Sequence, residues 1–205
     1  MPRSQPVRVG LWTIGSISSW IFFTDNFYEF TRITGTSMTP SLSPKYHETR
    51  QSDWVWWQGH SLGNNLQRGD VVRFFSPCHP ERDTVKRIIA LPGDTVILDR
   101  KRRPVRARDG ADLPESASWD RWGGKCRVPE GHVWVEGDNW RSTRDSNTYG
   151  PISMSLVHGK AVQLVWPLKD FGTKPWEGFR VDTKVVPGNL VKMQDAEVLN
   201  RIFRG

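Results

Sequence analysis

The stretch DTVKRIIALPGDTVILD, Asp83 to Asp99, decides the fold class. It holds two runs rich in Val, Ile and Thr, residues 83–91 and 94–99, joined by Pro92-Gly93-Asp94. β-Branched side chains favour extended backbone and Pro-Gly-Asp is turn chemistry, so the stretch reads as two strands around a tight reversal. The same grammar continues on either side. DVVRFF (70–75), HVWVEG (132–137) and KAVQLVW (160–166) read as further strands. Arg68-Gly69-Asp70, Gly123-Gly124 and Gly137-Asp138-Asn139 supply the breaks between them. There is no βαβ alternation and no internal repeat. The body from about residue 31 is therefore expected to be mostly β and antiparallel.

The N-terminus is of another kind. Arg3 and Arg8 precede VGLWTIGSISSWIFF, Val9 to Phe23, and no acid appears before Asp25. Those fifteen uncharged residues would span roughly 22 Å as a helix, against a hydrocarbon core of about 30 Å. A cleaved signal peptide, a buried core helix and a signal anchor all fit an apolar run of this length. No small-x-small site follows it, and TDNFYEF comes next, which favours the anchor. The basic side would then stay inside and the body lie across the membrane. The expected organisation is a basic segment with a single transmembrane helix (1–30), a catalytic domain (31–167) and a tail (168–205). In the tail, Val198/Ile202 and Leu199/Phe203 have the i,i+4 spacing of a short amphipathic helix.

Composition narrows the partners. The 205 residues carry a net charge of +7 and eleven tryptophans. A basic chain favours an acidic partner, and tryptophans suit apolar ligands or lipid headgroups. No helix-turn-helix, zinc-finger or RNA-binding pattern is present, so membrane lipid is expected rather than nucleic acid. RKRRPVRAR, residues 100–108, has six bases in nine positions and reads either as a solvated loop or as a contact for anionic headgroups. Cys78 and Cys126 allow one disulfide or two free thiols. Neither they nor the five scattered histidines have metal-ligand spacing, so no metal or cofactor is expected.

Three pieces carry chemistry. GTSMTP, Gly35 to Pro40, puts Ser37 fourteen positions beyond Phe23, close to the membrane surface if the anchor holds. Within TVKRIIALPGD, Lys86 sits in a strand of apolar residues and shares a face with Thr84 and Ile88. Desolvation there would disfavour the ammonium, and a neutral lysine can take the proton of a serine hydroxyl. GDNWRSTRDSNTYGP, Gly137 to Pro151, is dense in turn formers and holds Asp138 and Asp145, either of which can pair with Arg87. Taken singly, each piece has a plainer reading, as a turn, a surface strand residue or a loop cap.

Together and in order, the pieces resemble the type I signal peptidase family, over roughly residues 9 to 167. The resemblance implies a β catalytic domain that works as a serine endopeptidase with a Ser/Lys dyad. It assigns Ser37 as nucleophile and Lys86 as general base. It has Arg87 brace Asp138, Asp145 order the loop behind the lysine, and Met38 and Pro40 shape the substrate groove. Some positions depart from the bacterial pattern. Asp145-Ser146-Asn147 stands where Asp-Ser-Arg is usual, so an ion pair is replaced by a hydrogen bond. Thr143 stands for a serine near the lysine. Gly35 stands where some bacterial enzymes place an oxyanion-binding serine, leaving that task to backbone N–H groups such as that of Ser37.

These departures, with D-S-N-x-x-G-P-I-S and LVHGKAVQLVWP, are similar to the mitochondrial inner membrane protease branch, on the side of its second subunit. That likeness implies a heteromeric complex with a first subunit, an active site facing the intermembrane space, and precursors bearing sorting signals as substrates. The alternative is a bacterial-type or secretory-pathway signal peptidase. A catalytically dead anchored module is disfavoured by the intact pair. A self-cleaving repressor is disfavoured by the lack of room for a DNA-binding domain.

Overall fold

The computed structural model describes residues 28–59, 66–102 and 123–188. The apolar run 9–23, the bases at 103–108 and the amphipathic spacing at 198–203 lie outside them. Among the described residues no helix is long and apolar enough to cross a membrane.

Among the described residues, ten strands form two antiparallel sheets. The strands are β1 (Tyr28–Arg32), β2 (Trp54–Gln58), β3 (Val71–Phe75), β4 (Asp83–Ala90), β5 (Thr95–Ile97), β6 (Lys125–Arg127), β7 (His132–Glu136), β8 (Ile152–Ser153), β9 (Val157–Trp166) and β10 (Lys184–Val186). The larger sheet runs β1-β2-β9-β3-β4-β7-β8 and the smaller β10-β5-β6. Among the described residues, two single-turn helices, α1 (Tyr46–Thr49) and α2 (Ser146–Tyr149), interrupt the β pattern. Every strand expected from the sequence is present, and the reversal at Pro92-Gly93-Asp94 leads from the large sheet into the small one.

β3 and β4 form the centre. Val72 lies opposite Lys86 and Val71 opposite Arg87. Successive strand residues point to opposite faces. Val71 joins an apolar cluster with Met38, Leu42, Val55 and Trp57, whereas Val72 joins one with Phe74, Ile88 and Val135. Both faces of the sheet are thus covered. A third cluster, Ile89, Val96, Val128 and Trp134 among its members, fills the space around the smaller sheet. Burial on both faces makes neighbouring polar side chains in β4 internal, and so obliges Lys86 and Arg87 to find partners.

The body does not stop at Pro167. Trp176 is buried in the cluster beneath Met38, and β10 pairs with β5. The segment 168–188, expected to belong to the tail, is part of the same folded unit, and at the other end the sheet starts at Tyr28 rather than about residue 31. The tryptophans are divided. Trp57, Trp134 and Trp176 are core, while Trp54 and Trp166, opposite one another across β2 and β9, are exposed. Cys78 is exposed, Cys126 is buried, and both are free thiols.

Candidate active site

Ser37 sits in the loop after β1. Gly35 opens that loop with φ +99°, a conformation that favours glycine. Met38 then anchors the loop in the core at 2% exposure. Met38 also reaches the edge of the cleft that holds Ser37 and Lys86. Pro40 lies elsewhere, in a separate hollow with Pro44, Asp53 and Pro167. The cleft itself runs between residues 31–35, which lead out of β1, and residues 83–86 of β4.

Lys86 is 4% exposed. Its Nζ lies 2.8 Å from Ser37 Oγ and donates to the Val85 carbonyl at 2.9 Å. Burial lowers its pKa to about 8 from 10.5, against the opposing pull of the Asp145 and Asp138 carboxylates. A neutral amine holds two N–H groups and one lone pair. With one N–H committed to Val85, the amine is oriented so that its lone pair can face the serine hydroxyl. The pair therefore has the geometry and the proton affinity that activation of a hydroxyl requires.

Arg87 points to the other face and meets Asp138 in a two-pronged ion pair, Nε to Oδ1 at 2.8 Å and Nη2 to Oδ2 at 2.7 Å. Both side chains are buried. Arg87 also donates to the carbonyls of Gly69 and Trp176, each at 2.9 Å. It ties three segments together behind the cleft. Breaking such a pair strands a buried charge, so Arg87→Leu should cost about 3–5 kcal/mol of stability. The expected result is a clearly lower denaturation midpoint for the full-length protein in detergent; a midpoint equal to that of the unsubstituted chain would contradict it.

Asp145 caps α2, accepting from Asn147 N, and also accepts from Gly137 N, both at 3.0 Å. Asn147 donates its side-chain amide to Asp145 Oδ1 and to Glu136 Oε1, each at 3.0 Å. The hydrogen bond expected at the Asp-Ser-Asn motif is there, shared with a second carboxylate. Thr143 does not bond to Lys86; its buried hydroxyl finds no hydrogen-bond partner among the described residues. It abuts Gly137, where a Cβ would lie 2.3 Å from Thr143 Oγ1 and 2.6 Å from the Ser37 carbonyl oxygen. Only glycine fits between them.

Two participants escaped the sequence reading. Asn139 donates its backbone N–H to Ser37 O at 3.0 Å, and its side-chain amide to Thr36 O at 3.1 Å and Thr39 Oγ1 at 3.0 Å. It holds the nucleophile loop, but as part of Gly-Asp-Asn it reads as a turn former. Glu136 is 1% exposed at the end of β7. A carboxylate closing an apolar strand was the signal that could have found it. Arg102, the third of the clustered bases, is buried against Glu136 at 3.2 Å, so at this residue neither the solvated-loop nor the headgroup reading holds.

Comparison with known proteins gives the family. The signal peptidase, peptidase S26 family matches residues 7–166. The mitochondrial inner membrane protease subunit 2 of Saccharomyces cerevisiae is 38% identical over 151 residues, 73% of this chain and 74% of that protein. Subunit 2 of Mus musculus is 36% identical, covering 72% of each chain. Subunit 1 of Saccharomyces cerevisiae is 34% identical, covering 74% of this chain and 72% of that one. By the span of the family match and the extent of these identities, this chain belongs to the signal peptidase family, peptidase S26.

Proposed function

We propose that this serine peptidase of the signal peptidase I type removes sorting segments from precursors delivered to the mitochondrial intermembrane space, with Ser37 as nucleophile and Lys86 as general base. The observation that carries the chemistry is the 2.8 Å approach of a buried, pKa-lowered lysine to a serine at the floor of an open cleft. Ser37 Oγ attacks the scissile carbonyl as its proton passes to Lys86 Nζ. The C–N bond then breaks, and the ammonium returns that proton to the departing amine. Water, deprotonated by Lys86 in its turn, hydrolyses the acyl-enzyme. The Ser37 backbone N–H is a donor for the developing oxyanion. An extended precursor segment fits between residues 31–35 and 83–86, where strand-like pairing would hold it.

Identity with subunit 2 exceeds that with subunit 1 from the same yeast, which supports placing this chain on the second-subunit side, working in a complex with a subunit-1 partner. Residues 9–23 supply the single anchor, with the basic end in the matrix and the body in the intermembrane space. Mitochondria lacking the chain should accumulate precursors with retained sorting segments, read by N-terminal mapping. Carbonate extraction should leave the chain in the pellet, and protease added after rupture of the outer membrane alone should digest the body. Unchanged N-termini would refute the substrate assignment; a protected body would refute the orientation.

A further inference from the structure

We propose that Arg102 is a positioning residue for the Ser37–Lys86 pair, acting through Glu136, Gly137 and Asp145. The inference rests on the dyad reading above. Arg102 closes the 3-10 turn Arg100–Arg102, where the basic stretch begins. Unlike its neighbour Lys101, which pairs with Asp99 and Asp182, Arg102 turns inward, with 6% of its side chain exposed. Its Nη1 lies 3.2 Å from Glu136 Oε2 and donates to the Gly137 carbonyl at 3.4 Å. From the other side Asp145 accepts the Gly137 N–H. The segment Glu136–Gly137 is thus gripped at both ends. Ser37 rests on it: a Cβ at Gly137 would come within 2.6 Å of the Ser37 carbonyl oxygen, and Asn139, two residues on, donates to that same oxygen. Movement of the segment moves the nucleophile.

The charges show the same dependence. Glu136 accepts from Trp134 Nε1, Asn147 Nδ2 and Thr183 Oγ1, and Asn147 joins it to Asp145. Two buried carboxylates therefore share one neutral amide, and among the described residues Arg102 is the guanidinium in contact with Glu136. Burial pushes the Glu136 carboxyl above its usual range, Arg102 pulls it back, and Asp145 pushes it up again. Among the described residues, the charged and titratable groups around this cluster are Lys86 and Arg87 from β4, Glu136 from β7, Asp138 from the following turn, Asp145 and Tyr149 at the two ends of α2, Arg102 from the 3-10 turn and Asp182 ahead of β10. Asp138 is matched by Arg87. Without Arg102, Glu136 loses this counter-charge, and the negative charge it shares with Asp145 through Asn147 grows behind Lys86.

The test is the pH dependence of kcat/KM for the full-length chain in its reconstituted complex. Arg102→Met removes a positive charge, which favours the Lys86 ammonium. The rising limb should move up by about half a pH unit, making cleavage on that limb roughly threefold slower. Glu136→Gln removes a negative charge and should move the limb the opposite way. Arg102→Met combined with Asn147→Arg, which returns a guanidinium between the two carboxylates, should restore the limb. If Arg102→Met does not fold, Arg102→Lys keeps the charge but not the double grip, and should keep the limb while lowering kcat. Opposite shifts and the rescue would support the inference, since a merely structural role lowers stability without moving the limb. A limb fixed in both single variants, with Lys86 essential, would overturn it and leave the dyad standing. Activity in Lys86→Arg would overturn the dyad instead.

Discussion

Replacing Ser37 by alanine is expected to abolish cleavage and leave the fold intact. The hydroxyl makes its contact with Lys86, while the residue is held by its carbonyl, which accepts from Asn139, and by Met38 next to it in the core. None of those anchors needs Oγ. Nucleophiles in such units contribute on the order of 10⁴-fold or more to turnover, so the loss should be at least that large. Removing one partly exposed hydroxyl should change stability by less than about 1 kcal/mol. The check is a cleavage assay on the purified complex beside a denaturation curve. Near-normal turnover would remove Ser37 from the mechanism; lost turnover with a lost fold would leave its role undecided, and Ser37→Cys, which keeps a nucleophile of similar size, would then decide by retaining measurable cleavage.

Lys86→Arg should be as inactive as Lys86→Ala, because a guanidinium does not deprotonate in the accessible range. A loss of about 10⁴-fold is expected here too, since the base and nucleophile act as one unit. In the unsubstituted enzyme, kcat/KM should rise with pH through about 8 and level off above it, as Lys86 loses its proton. The sign for stability follows from the same shift. The folded pKa lies below the unfolded one, so the unfolded chain binds more protons between about 8 and 10.5, and stability rises with pH across that window. At neutral pH the buried lysine destabilises the fold by about 3 kcal/mol, from the fall of its pKa from 10.5 to about 8. Lys86→Met should therefore be inactive and more stable than the parent at pH 7. Appreciable cleavage by Lys86→Arg would exclude Lys86 as the base.

Much of the architecture was legible because its strands announce themselves. Residues 70–75, 83–91, 94–99, 132–137 and 160–166 are β-branched or aromatic runs bounded by Gly, Pro and Asp, and each is a strand. The strands that were missed have weaker local signals. β2 is Trp-Val-Trp-Trp-Gln, whose tryptophans read as a surface for lipid, and β1 carries Glu29 and Arg32 among few apolar residues. β6, β8 and β10 are three residues or fewer, too short for a period to show. Each exists because a neighbouring strand offers it a ladder. Segment 168–188 was expected to belong to the tail, yet Trp176 within it fills the core.

The same division holds at the site. Local residue order set the strand containing Lys86 and Arg87, and alternation along that strand sent the two cations to opposite faces. Those are properties of neighbours in the chain, fixed by backbone geometry over a few residues. The loop seat of Ser37, the burial that lowers Lys86, the fit of Gly137 against the Ser37 carbonyl and the turn of Arg102 toward Glu136 involve residues 34 to 100 positions apart. No local pattern encodes such distances, because each depends on how much water the assembled sheets exclude and on which polar groups are then left to satisfy one another.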